Sequence, residues 1–463
     1  MMKKIALVII LYILLGAILP FAWSPSVSDS ERVAFDPSSI YGADYSGQRV
    51  DIISDNTEAL AERIRLISQA QDQITLSTFD FRSDGAGLQM LAALTDAAER
   101  GVHVRVIVDG LSGLLHMEGN PFFYALSAQP NAEVKLYNPI RLWLPWKLMG
   151  RLHDKYLVTD DTTFLLGGRN TCSYFLGEGE GRVKYDWDTL VWSEDSADAA
   201  GQVLDYFQTV WEYNESKVFH NDLSLLEKRK IQEARTELKE IYEALQLSHP
   251  DWFDGRDYAV STLPAGKITL LHNPICSGVK EPVCFYELTE VLGSGSDTVI
   301  HTPYLVCNRW MLDRLTYVCN QNNCTRMLTN SVANNNNIFG AADYWTHRSS
   351  ILNSGVRVLE YDSGVSYHGK CARIDDRITI VGSFNFDMRS AFVDTELMLV
   401  IDSPEVNNLM SREMQKYEDE CIQISGADHN IVPEGHMTQT VPWPRYVLMS
   451  LMQILFGWAR FLF

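Results

Sequence analysis

Two stretches of the chain carry the same polar residues at the same spacing. LHDKYLVTDDTTFLLGGRN (152–170) and HGKCARIDDRITIVGSFN (368–385) each read HxKxxxxD, then an apolar run, then G[GS]xN. His153, Lys155, Asp160, Gly167 and Asn170 match His368, Lys370, Asp375, Gly382 and Asn385 at identical offsets from the histidine. One such pattern is weak evidence, because a strand with polar residues at its ends produces it by accident; two copies in register are specific. On a strand, residues i and i+2 face one side, so each histidine points the same way as its lysine. If the two copies face each other, two imidazoles and two ammonium groups converge on one pocket. That set suits the phosphate of a diester. Lys155, Lys370, Asn170, Asn385 and Ser383 would bind the non-bridging oxygens, one imidazole would attack phosphorus, and the other would protonate the departing alkoxide.

A nucleophilic imidazole must be neutral and held in one orientation, which needs an acceptor on its second nitrogen. The carboxylates expected to do this lie on the next strand of each repeat: Asp188 of WDTLVW and Glu396 of DTELMLVI, with Asp186 and Asp394 as near alternatives. Asp160 and Asp375 complete the motif and are counted with its catalytic set. They follow an apolar strand segment, however, and aspartate in that place also forms turns.

The elements that must position these residues also recur. Asp55 or Asn56 caps an amphipathic helix with Leu60, Ile64 and Ile67 on one face; ITLSTFDF is a strand, LQMLAALTDAAERG a helix closed by Gly101, and VHVRVIVDG a strand. Strand, helix, strand implies a parallel pair with a right-handed crossover. DTVIHTPYL, RWMLDRLTYVCNQ and CTRMLTNS repeat that order after Gly255. The chain therefore reads as α/β, two pseudo-symmetric halves sharing one active site. The expected organisation is an N-terminal hydrophobic segment at 1–25, a first half at 26–215, a linker helix at 216–250, a second half at 251–425 and a hydrophobic tail at 426–463. The charged amphipathic stretch 222–247 reads as a solvated connecting helix, and NNNNIF (334–339) as a loop.

The 59 acidic against 39 basic residues and a formal charge of −20 count against a protein that grips nucleic-acid phosphates by a basic face, though a local basic pocket stays open, so no nucleic acid is expected as partner. Two lysines precede an apolar run from Ile5 to about Trp23, long enough to cross a bilayer. Phe21-Ala22-Trp23 is a poor cleavage site, which favours an uncleaved anchor over a signal peptide. With Lys3 and Lys4 inside, the body lies on the extracytoplasmic side. Cys276 with Cys284 and Cys319 with Cys324 are close enough in sequence for disulfides in an oxidising compartment. The tail RYVLMSLMQILFGWARFLF is marginal for a span and suits either an interfacial helix or a cap on the protein's own core.

The paired motifs resemble the phospholipase D superfamily over roughly residues 50 to 425. LTNSVANNN, RSSILNSGVRVLEY and GSFNFDMRSAFVDTELMLVIDSPE are similar to segments of bacterial cardiolipin synthases, the C type most of all. The resemblance implies a phosphohistidine enzyme with no metal and no cofactor, transferring a phosphatidyl group between phospholipids, with phosphatidylglycerol as acceptor and phosphatidylethanolamine as a further possible substrate. It implies His153 as nucleophile and His368 as general acid and then base; the residues themselves allow the reverse. The first motif departs from the family in GGRNTCSYFLGEGEG, where an acidic residue commonly follows GGRN soon after. Rival readings are a hydrolase of lipids or nucleic acid that uses water as acceptor at the same residues, and a membrane-attached binding protein without turnover.

Overall fold

The computed structural model describes residues 2–42, 45–179, 183–194, 199–424 and 430–462. The chain divides into two compact units. One comprises Tyr45–Ile140 and Arg151–Leu270 and holds the first motif; the other comprises Met1–Asp44, Arg141–Gly150 and Leu271–Phe463 and holds the second. Part of the 175–185 insertion after the first motif, at 180–182, and the expected boundary at 425–426 lie wholly or partly outside the described residues.

In the first-motif unit, Gln73–Thr78, His103–Asp109 and Ala132–Tyr137 form the parallel centre of a nine-stranded sheet. The motif strand Tyr156–Thr159 runs antiparallel beside Gln73–Thr78; Thr163–Gly167, Asp188–Ser193 and Gln48–Ile53 follow outward, each antiparallel to the last. The parallel pair is the one that strand, helix, strand order requires. Helix Asn56–Gln69 starts where Asp55 accepts the amides of Thr57 and Glu58, and helix Gly85–Arg100 ends at Gly101, whose φ of 101° only glycine adopts readily. The first buries Leu, Ile and Ala side chains and the second Met, Leu and Ala in this unit's core. Helix Arg229–Ser248 is less solvated than a connecting helix need be: Ile231, Ala234, Leu238, Tyr242 and Leu245 are buried in this unit's core, while its charged face stays in water.

The second-motif unit repeats the order. Asp297–His301, Cys324–Asn330 and Arg357–Tyr361 are parallel, and the motif strand Cys371–Ile374, then Ile378–Gly382 and Leu397–Asp402, extend the sheet antiparallel. NNNNIF is a loop only as far as Asn337, whose side chain caps helix Ile338–Leu352. Lys3–Phe21 is long and apolar enough to cross a membrane and leaves most of its surface exposed. None of the eight cysteines forms a disulfide. The tail forms helix Trp443–Phe456 and a turn, Gly457–Leu462, with Met449 and Ala459 packed inward.

Asp160 and Asp375 do the same work in both units. Each has positive φ, 50° and 47°, at the turn that ends its motif strand. Asp160 accepts the amides of Gln71 and Asp72 at 2.8 Å and of Gln73 at 3.0 Å; Asp375 accepts those of Ser296 and Asp297 at 3.0 and 2.8 Å. These amides open the central strand beside the motif strand, so the aspartate locks the pair's register at the end remote from the histidine. Asp160→Ala strips three amides of a charged acceptor and is expected to cost about 2–3 kcal/mol of stability, read as a lowered urea midpoint.

Candidate active site

Each motif histidine stands at the mouth of its strand rather than in it. His153 and Lys155 precede Tyr156–Thr159; His368 and Lys370 precede Cys371–Ile374. What fixes these extended residues is a polar side chain at the C-terminal end of a neighbouring parallel strand. In the first unit Asp109, fully buried, accepts the Leu152 amide at 2.9 Å and the Leu111 amide at 2.8 Å. In the second, Asn330 accepts the Tyr367 amide at 3.0 Å and donates to the Tyr367 carbonyl at 2.7 Å. Leu152 and Tyr367 are the residues immediately before the histidines. Asp109 and Asn330 are thus equivalent positioning residues that the motif search missed. The available signal was their matched place, ending the second strand of each strand, helix, strand unit.

Within each pair the lysine folds back on its histidine. Lys155 Nζ donates to the His153 carbonyl and lies 5.7 Å from the Phe79 ring centre, and that ring meets His153 edge-on at 5.5 Å. Lys370 Nζ donates to the His368 carbonyl and to Nδ1 at 2.5 Å, and Tyr304 meets the imidazole edge-on at 6.1 Å. The same Lys370 Nζ lies 3.4 Å from Nε2 of His368. Both lysines are buried.

Beyond the motif strands the register assigns the carboxylates. The amide of Gly168 donates to the Trp187 carbonyl at 3.0 Å, and that of Ser383 donates to the Leu397 carbonyl at 2.9 Å. Gly168 corresponds to Ser383, so the residue equivalent to Glu396 is Asp186 and the equivalent of Asp188 is Met398. Paired partners agree, Gly167 with Asp188 and Gly382 with Met398. Asp186 fills the space beside Gly168 where a side chain would stand, and Glu396 bonds the hydroxyls of Ser383 and Ser390, the latter at 2.6 Å. Asp188 instead binds Arg63 at 2.8 Å and Arg169 at 3.2 Å, all three buried. Where Arg169 is replaced in the second unit by buried Phe384, the acid is replaced by Met398. A charge pair in one repeat is an apolar pair in the other: Asp188 is an ion-pair partner inside its unit, and Asp186 stands at the position that Glu396 holds in the other.

The other expected residues are placed as follows. Asn170 Oδ1 accepts the Asp80 amide at 3.4 Å, and Asn385 Oδ1 is buried with no hydrogen bond among the described residues. The Ser383 hydroxyl serves Glu396 and the Leu397 amide. Asp394 is held by Arg389 at 2.8 Å. Among the described residues no group of three histidine, cysteine or acidic side chains has the arrangement of a metal site.

Asp387, buried, is pushed up from 3.8 to about 6 by burial first and then by the neighbouring carboxylates Glu396 and Asp394. Its folded form holds a proton more tightly than its unfolded form, so the stability this contributes is complete below pH 3.8 and lost as pH rises through about 6. Asp387→Asn keeps an acceptor for the Ser390 amide. It is expected to raise the urea midpoint at pH 8 and leave it unchanged at pH 3.5, a gain of up to about 3 kcal/mol.

The sequence matches the family model described as cardiolipin synthase, PLD-like domain, over residues 63–211 and 288–417, one match on each repeat. Cardiolipin synthase C of Escherichia coli is 27% identical over 410 residues, covering 77% of this chain and 81% of that protein. A cardiolipin synthase of Clostridium perfringens is 22% identical over 378 residues, covering 81% of this chain and 71% of its own. The crystal structure of phosphatidylserine synthase from Haemophilus influenzae superposes with a TM-score of 0.64 at 16% identity, covering 94% of this chain and all of that one, which shows a shared fold. With both repeats matched and a histidine-lysine pair intact in each, the chain belongs to the cardiolipin synthase PLD-like family, and it is an enzyme of the phospholipase D superfamily of phosphatidyltransferases.

Proposed function

We propose that the protein is a membrane-associated, cardiolipin synthase-like phosphatidyltransferase that works through a phosphohistidine. The observation that carries this is the duplicated histidine-lysine pair, each held by an equivalent strand-end residue, Asp109 or Asn330. His153 is the nucleophile: its nitrogen bonds to phosphorus as the bond to the departing glycerol oxygen breaks. His368, as the imidazolium, gives that oxygen a ring proton and becomes the neutral imidazole, which then takes a proton from the acceptor hydroxyl as that oxygen attacks phosphorus and the phosphorus–nitrogen bond breaks. Lys155, Lys370, Asn170 and Asn385 hold the phosphoryl oxygens; Asp186 and Glu396 orient imidazoles. The apolar helix Lys3–Phe21 anchors the chain, and Lys3 and Lys4 on the cytoplasmic side put the body outside.

Purified protein is incubated with phosphatidylglycerol vesicles, then with phosphatidylethanolamine added, and the lipids are weighed by mass spectrometry. A four-chain product is expected. Phosphatidic acid as the sole product would mean that water is the acceptor, and no lipid turnover with either mixture would overturn the reading.

A further inference from the structure

The second-motif unit exposes large apolar side chains at three places that the transfer chemistry does not use, and hydrogen bonds join them. The first is the N-terminal helix. The second is the loop RLWLPWKLMG (141–150), where Trp143 is 69% exposed. Tyr12 OH donates to the Trp143 carbonyl at 3.1 Å, and the Pro145 ring lies where a side chain on Gly16 would be. Tyr12 stands nine residues before Phe21, about 13 Å along the axis, against about 15 Å for half the hydrocarbon of a bilayer. A loop fastened there lies within one leaflet. Irregular backbone survives at that depth only when its polar groups are paired. Besides the Tyr12 bond, Leu144 donates to Arg141 at 2.9 Å, Lys147 to Leu144 at 3.0 Å and Leu148 to Pro145 at 3.1 Å.

The third place is the tail. Both of its arginines turn inward: Arg445 donates to the carbonyls of Val332 and Asn335, and Arg460 donates to the Asp343 carboxylate at 2.9 and 2.7 Å and to the Cys307 carbonyl at 3.0 Å. Met449 packs on Ala341 and Ala342. The outward side carries Leu448, Leu451, Leu455 and Trp458 at helical spacing, with Trp443 and Ile454 each 76% exposed. Residues 443–463 contain no acid, in a chain that has 59. Arg389 ties the tail to the loop, donating to the Leu462 carbonyl at 3.2 Å and to the Met149 carbonyl at 2.7 Å.

We propose that loop 141–150 and the tail 443–462 form, with the N-terminal helix, one surface whose occupant is the near leaflet of a phospholipid bilayer. Its apolar side, with charges turned inward and tryptophans at its margins, matches an interfacial helix. Gly150 is three residues before His153, so the part of the chain sunk in lipid leads directly into the nucleophile.

The proposal rests on the membrane reading above, and its test does not depend on turnover. The full-length chain is reconstituted in vesicles of phosphatidylglycerol and phosphatidylethanolamine that contain a phospholipid with a photoreactive acyl chain; after irradiation, labelled peptides are mapped by mass spectrometry. Label is expected in 141–150 and 443–462 as well as in 2–21. Label confined to 2–21, or tail peptides crosslinked to a second copy of the chain instead of lipid, would overturn it. The variant Ile454→Ser, Leu455→Ser, Trp458→Ser is expected to lose the tail label and at least five-fold in transfer on vesicles, with the rate in detergent micelles unchanged. Equal loss in vesicles and micelles would count against the proposal. A wild-type protein inactive in both media would sink the transferase reading and leave the labelling pattern legible.

Discussion

His153→Ala is expected to lower phosphatidyl transfer by at least about 10⁴-fold, because it removes the imidazole that forms the covalent bond to phosphorus in the proposed mechanism. His368→Ala is expected to be comparably slow on phospholipids and to differ in kind. With a p-nitrophenyl phosphodiester, whose leaving group needs no proton, His368→Ala should still release one equivalent of nitrophenolate in a burst and then stall, since the phosphohistidine forms but the acceptor is not deprotonated. His153→Ala should give no burst. Acid-labile label on the peptide containing residue 153 in the stalled enzyme is the direct reading. If the burst instead persists in His153→Ala and disappears in His368→Ala, the two roles are reversed.

The second large effect separates two aspartates that lie two residues apart. Asp186→Asn keeps the shape beside Gly168 and removes the charge. It is expected to reduce transfer by about 10² to 10⁴-fold with the urea midpoint little changed. Asp188→Asn leaves the buried guanidinium groups of Arg63 and Arg169 without their shared carboxylate and is expected to cost about 3–5 kcal/mol of stability. The fraction that remains folded should turn over at close to the normal rate. Met398→Leu, at the equivalent position of the second unit, replaces one buried apolar side chain by another and should cost less than about 1.5 kcal/mol. Activity loss in Asp188→Asn without loss of stability would return the orienting role to Asp188.

Much of the architecture was legible because the repeats announce themselves. The paired offsets from histidine to asparagine, the caps at Asp55 and Gly101, and the strand, helix, strand order all depend on local spacing, and the parallel central strands follow from them. The helix at 229–248 was legible as amphipathic, but periodicity does not say what lies against an apolar stripe. The tail had the same ambiguity: interfacial helix and core cap were both open from its composition, and in the fold one side of it packs inward while the other stays exposed. Cysteine proximity in sequence suggested bridges that the structure does not contain.

The sequence by itself determined which residue types meet in each motif, since a histidine and a lysine two apart on extended chain share a face whatever surrounds them. It also marked the chain as duplicated and its N-terminus as long and apolar enough for a bilayer. Only the tertiary structure decided which carboxylate matches Glu396. Asp186 and Asp188 differ by two residues, so strand alternation puts both on the same side and cannot choose between them; the choice is one of register, and register is written in the amide of Gly168 and the carbonyl of Trp187. The same reason hid Asp109 and Asn330. They act on residues some 40 positions away, and side chains distant in sequence become neighbours only when the parallel strands that carry them have paired.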